Sequence, residues 1–146
     1  MNTPLYDRDF YAWAQQQAHA LKAKDWAVLD LVNLVEEVES LARSEYRSLR
    51  SEAQRLLMHA LKWRYQPDLR SESWRHSIEQ ARDEIEELLR ENPSLQPRLV
   101  DAFTAGYRLA RRQAARETHL PLATFPERCP WPVDDVLTED WLPPEG

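Results

Sequence analysis

The chain has 146 residues, 42% of them hydrophobic and 30% charged, which suits one core of ordinary size and excludes disorder throughout. Twenty-five Asp and Glu (25) against 19 Lys and Arg leave a net charge of −6, which argues against a protein that coats a nucleic-acid backbone. The two glycines, Gly106 and Gly146, are too few for a hairpin-rich β fold, whose tight turns draw on positive φ.

Cys129 is the lone cysteine, so an intramolecular disulfide is excluded and a reducing compartment is expected. The opening MNTPLYDRDFYAWAQ carries charges and aromatics where a signal peptide needs an apolar run. No stretch approaches the ~20 apolar residues of a membrane span. A cytoplasmic protein of bacterial type, in a single domain over residues 1–146, is the expectation.

In chain order, Asp7 is placed to cap a first helix reaching about Lys24, with Tyr6, Phe10, Trp13, Ala14, Gln17 and Leu21 on one stripe. Asp25 and Asp30 offer two further caps around a short turn. From Asp30 to Tyr65 the pattern is helical without a break. Leu31, Leu34, Val35, Val38, Ala42, Leu49, Ala53, Leu56, Ala60 and Trp63 form its apolar face. At 1.5 Å per residue such a helix is roughly 54 Å long, so a bend or a projecting end is expected. Pro67 stops it. Ser71 or Ser73 caps the next helix, which turns Trp74, Ile78, Ala81, Ile85 and Leu88 inward and Asp83, Glu84, Glu86 and Glu87 outward. ENPSLQP connects to a fourth helix, with Ser94 as cap and Pro97 in the first turn. Leu95, Leu99, Ala102, Phe103, Gly106, Leu109 and Ala110 stripe that helix, and Gly106 lets another helix approach closely.

Six of the ten prolines lie in residues 121–144, with Phe125, Trp131 and Trp141 among them. The segment is too proline-rich for a long helix and too apolar for a free linker. It is predicted to drape over the bundle (arm 120–146, bundle 1–119), with one short helix near Pro132–Leu137. The fold class is all-α: four main helices with a proline-rich C-terminal arm packed over them.

The strings YDRDFYAWA, LVEEVESLARSEYRSLRS, LLMHALKWRYQPDLRSESWRHSI, NPSLQP, ARETHLP and FPERCPWPVDDVLTEDWLP together resemble the domain-of-unknown-function 29 family of bacteria. The resemblance spans nearly the whole chain in one order. It implies an all-α fold and no particular activity.

Four constellations carry potential chemistry. Glu36 and Glu37, with Glu39, could hold Mg²⁺ or act as acid and base. They lie off the apolar stripe, so a solvated or partner-facing pair is the plainer reading. Glu45, Glu52 and His59 follow Val38 at intervals of seven along the edge of the stripe. That line could hold a divalent ion, although metal-binding bundles use Glu-x-x-His pairs from several helices. The plainer reading has His59 bonding to a neighbouring helix and the glutamates pairing with arginines.

Around the Gln66–Arg70 bend, Trp63 and Trp74 read as packing anchors. Lys62, Tyr65, Arg70, Arg75 and His76 remain eligible for a shallow binding surface, with Arg75 as a stacking group. Finally, Arg108, Arg111, Arg112 and Arg116 form a basic face, open to RNA or phosphate but more simply paired with the acidic third helix. No HExxH, glycine-rich phosphate loop or nucleophile elbow is present, and no cofactor is implied. Cys129, in a packed tail, reads as an inert thiol. The expected function is non-enzymatic protein–protein interaction, with a homo-oligomer or protein partner. The alternatives are a divalent-metal-dependent bundle enzyme acting on nucleotides, and nucleic-acid binding through the arginine face.

Overall fold

The computed structural model describes residues 3–145 and is all-α, with no strand among those residues. The chain divides into two compact units, Met1–Ser44 and Glu45–Gly146. The helix α3 (Leu31–Tyr65) contributes residues 31–44 to one unit and residues 45–65 to the other.

In the first unit, α1 (Leu5–Arg8) and α2 (Phe10–Ala23) precede α3. The single helix expected to start at Asp7 is interrupted at Asp9, whose φ of −153° is extended. Asp9 rather than Asp7 is the cap: its carboxylate accepts from the Ala12 amide at 3.0 Å, satisfying an orphan N–H of the first turn. Lys24 closes α2 in the left-handed region (φ 56°), an uncommon conformation for a non-glycine residue that fits a helix C-terminus. Asp30 caps α3, taking the Asn33 amide at 3.4 Å and its side-chain amide at 2.7 Å.

Asp30 also ties the hairpin together. Buried Trp13 donates its indole N–H to the Asp30 carboxylate at 3.1 Å, and the Gln17 carbonyl oxygen accepts from the Asp30 amide at 2.7 Å. At the other end the Tyr6 hydroxyl donates to Glu37. Low numbers on one side thus meet high numbers on the other, so α2 and the start of α3 run antiparallel. Tyr6, Phe10 and Trp13 stack edge-on or tilted, with centroids 4.8–5.8 Å apart.

In the second unit, α3 buries Leu49, Ala53, Leu56, Leu57, Ala60 and Leu61. Pro67 ends it, and Ser71 caps α4 (Glu72–Glu91) by accepting from the Trp74 amide at 3.2 Å. Ile78, Ala81 and Ile85 of α4 enter the core, as the spacing predicts. Ser94 is not a cap: Pro93–Arg98 forms a 3-10 run that leads into α5 (Leu99–Thr118) without a side-chain cap at Arg98. Gly106 of α5 lies against α3. A Cβ there would stand 3.0 Å from the Gln54 nitrogen and 3.1 Å from the Arg50 carbonyl oxygen, so the close approach expected of this glycine is made to helix backbone.

The arm is ordered on this core. Phe125 and Val136 are buried, and Trp131, Leu137, Trp141 and Leu142 are partly buried against the cluster. The Tyr107 hydroxyl donates to the Pro126 carbonyl at 2.6 Å and Arg111 Nε to that of Phe125 at 3.0 Å. The short helix expected near Pro132–Leu137 is α6 (Val133–Val136).

A further expectation is corrected. Leu31, Val35, Val38 and Ala42, assigned from periodicity to the core-facing stripe of α3, are exposed, while Leu49, Ala53, Leu56 and Ala60 on the same stripe are buried completely. The physical reason is length. At 1.5 Å per residue, 20-residue α4 and α5 can cover only part of a 35-residue helix.

Candidate functional site

The uncovered part of that stripe is the most distinctive surface of the first unit. Leu31 is 64% exposed, Val35 53%, Val38 63% and Leu41 69%. At 100° per residue, 31, 35, 38 and 42 share one face, with 34 and 41 beside it. The side of α3 that meets α2 is a different one, carrying half-buried Asn33, Glu37 and Ser40. On α2 the buried row is Trp13, Gln17 and Ala20, and Phe10 and Leu21, about half exposed, flank it. Because the two helices are right-handed and antiparallel, Phe10 and Leu21 emerge on the same side of the hairpin as Leu34, Val38 and Leu41. The result is one apolar face two helices wide.

The charged groups of α3 lie off this face and are mostly engaged. Arg43 contacts Glu36 at 2.8 Å and Glu39 at 3.8 Å. Glu37 accepts the Tyr6 hydroxyl, a bond that, with the carboxylate charge, pushes the Tyr6 pKa up to about 12. Tyr6 therefore stays protonated and donating at any physiological pH. Hydrogen bonds from Asn33 and Trp13 hold the Asp30 carboxyl below its ordinary value, which keeps the hairpin's central acceptor ionised.

The Glu-and-His line is spread along one helix. Seven residues of α-helix are about 10.5 Å, so Glu45, Glu52 and His59 stand too far apart to share one ion's coordination sphere. Glu52 pairs with Arg55 at 2.8 Å, as expected of it. Glu45 accepts from the Asn92 side chain at 3.2 Å. His59 does not reach a neighbouring helix: its Nδ1 lies 2.9 Å from the Arg55 carbonyl one turn earlier. Burial pushes its pKa down. Among the described residues no three His, Cys, Asp or Glu side chains gather as metal ligands do.

At the bend, the polar residues are drawn into cation–π and ion pairs. Lys62 sits 4.9 Å from the Trp74 ring centroid and 3.3 Å from Glu117. Arg70 and Arg75 lie 5.1 and 5.7 Å from the Trp63 ring, so Arg75 meets Trp63 rather than its neighbour Trp74. Arg70 also donates to the Trp63 carbonyl at 2.7 Å. Tyr65 packs on Phe125, and His76 is exposed. On α5, Arg111 is committed to the arm, whereas Arg108, Arg112 and Arg116 are exposed. None of the four forms an ion pair within 4.0 Å among the described residues, so the expected pairing with α4 is not made. The Cys129 thiol is pushed up by burial and donates toward the Trp131 carbonyl, which makes it a poor nucleophile.

Sequence reasoning missed Arg82. It is 4% exposed, and it donates from Nε to the Val136 carbonyl at 3.1 Å and from Nη2 to the Trp141 carbonyl at 2.8 Å. Glu79, Asp83, Glu86, Glu139 and Asp140 line an acidic cleft around it; desolvation lowers its pKa, and Glu79, Asp83, Asp140 and Glu86 partly offset that.

These features define a class: an all-α protein in which a helical hairpin displays an uncovered apolar face and a second helical unit carries its own core and arm. No described helix is long and apolar enough to cross a membrane. The chain belongs to the family described as Domain of unknown function DUF29, which matches residues 5–142. Comparison with curated proteins and with solved structures finds no match.

Proposed function

We propose that this protein is a non-enzymatic protein–protein interaction module and that the α2–α3 hairpin of its first unit is the docking element. The observation that carries this reading is the face built by Phe10, Leu21, Val38 and Leu41 with Leu31 at its edge, all close to half exposed or more. Scattered apolar side chains on a surface need no explanation, but a continuous patch of large ones marks an interaction site. The hairpin beneath it is held by Asp30, Gln17, Trp13 and the Tyr6–Glu37 bond, so the face is presented by fixed helices and binding need not order it.

A single reporter thiol tests the reading. In a Cys129→Ser chain, Val38→Cys is labelled with a polar maleimide, first in the source cell lysate and then after purification and high dilution. Slow labelling in the lysate and fast labelling after dilution is the expected outcome. Equally fast labelling in both means that nothing docks on the face, and the reading fails.

A further inference from the structure

We infer that the occupant of the hairpin face is a second copy of this chain, and that two α2–α3 hairpins close into an antiparallel four-helix bundle. The inference rests on the docking role just proposed and names its partner. Three observations lead to it.

The first is shape. The face is two helices wide, formed by Phe10 and Leu21 of α2 and by Leu34, Val38 and Leu41 of α3, with Leu31 at its outer edge. A single docked helix would fill the groove between α2 and α3 and leave the outer rows wet. A second two-helix layer covers both, which is how four-helix bundles are assembled. The chain carries such a layer itself. Leu31, Leu34, Val38 and Leu41 also fall at the first and fourth positions of two consecutive heptads, the spacing that lets side chains of facing helices interdigitate.

The second is area. Phe10, Leu21, Val38 and Leu41 are each about half exposed or more, and side by side they make a continuous apolar patch on the order of the few hundred Å² that marks an interaction site. Pairing with an identical face removes both patches at once, as a two-fold interface does.

The third is charge. Phe10–Ala23 carries Lys22 alone, +1, whereas Leu31–Ser44 carries Glu36, Glu37 and Glu39 against Arg43, −2. Crossing the hairpins, with α2 of one copy against α3 of its partner, sets the positive helix on the negative one and keeps neighbouring helices antiparallel. The net −2 of Leu31–Ser44 likewise disfavours an anionic lipid surface, which is recognised by Lys and Arg along the polar face of an amphipathic helix.

Sedimentation of the full chain from nanomolar to tens of micromolar tests the proposal. It predicts a species of twice the 17.3 kDa chain mass at the upper end and dissociation on dilution. The double variant Val38→Lys/Leu41→Lys is expected to stay monomeric throughout with its helical dichroism retained, because both side chains are already exposed in the single chain. Val32→Lys, 81% exposed and a third of a turn off the face, is expected to associate like the parent. A monomeric parent at tens of micromolar overturns the proposal, as does a dimer that the double variant leaves intact. Co-sedimentation of a monomer with phosphatidylglycerol vesicles overturns it in favour of lipid. A monomer whose Val38→Cys thiol is still protected in lysate would remove the second copy as partner and leave the docking role standing.

Discussion

At the residue scale, His59 gives the chain a specific pH response. Burial holds its imidazole below the ordinary value of 6.5, so in that window the unfolded chain binds a proton that the folded chain resists. Stability is therefore complete above about pH 6.5 and is lost as pH falls toward and through the folded value. Asp30 and Glu145, whose carboxyls are held low by hydrogen bonds from Asn33 and Arg70, act in a separate window. Their contribution is present above their unfolded values near 4 and declines only below them. Thermal melts between pH 7.5 and 5 should thus show a falling midpoint that is flattened in His59→Gln. Equal slopes for both chains would assign the response elsewhere. The residue type and its place beside the apolar stripe were legible in the sequence. Its partner was not, because a carbonyl one turn back and one on a neighbouring helix both satisfy the same ring nitrogen.

At the element scale, the helices and their buried rows in the second unit were readable because each pairs a 3.6-residue period with a proline or capping residue at its ends. Arg82 was not. It stands in RDEIEELLRE, where every local signal points to solvent, and its partners lie 54 and 59 residues away. Only the arm's arrival makes it a buried staple. Its two donors meet carbonyls that α6 and the following turn would otherwise bury unpaired. Arg82→Met keeps the length and apolar stem but removes both donors, and should cost about 2–4 kcal/mol. Amide exchange at Val136, Leu137 and Trp141 should accelerate well beyond exchange in α5. Unchanged protection there would mean that the apolar contacts of Phe125, Trp131 and Val136 hold the arm without the staple.

At the scale of the whole molecule, α3 explains what sequence alone could and could not say. Its stripe runs in one phase from Leu31 to Ala60, and periodicity reports which face is apolar, not what covers it. The clue lay in length. A 35-residue helix among helices of 14 and 20 has more apolar face than its own chain can cover. Leu31, Val35 and Val38 then read as core for the same reason as Leu49 and Leu56, although they meet water. The constellations that looked chemical are engaged largely in packing and pairing, while the groups that look like core are the ones left available.

Oxidative footprinting of side chains along α3 tests this account most directly, because it compares both halves of one stripe in one experiment. Hydroxyl-radical modification of Leu31, Val38 and Leu41 is measured against that of Leu49, Leu56 and Leu61 at concentrations spanning the association. Docking of this face predicts that the second group stays protected at every concentration, and that the first is protected when concentrated and becomes reactive on dilution. Reactivity of the first group that is high and independent of concentration would contradict it.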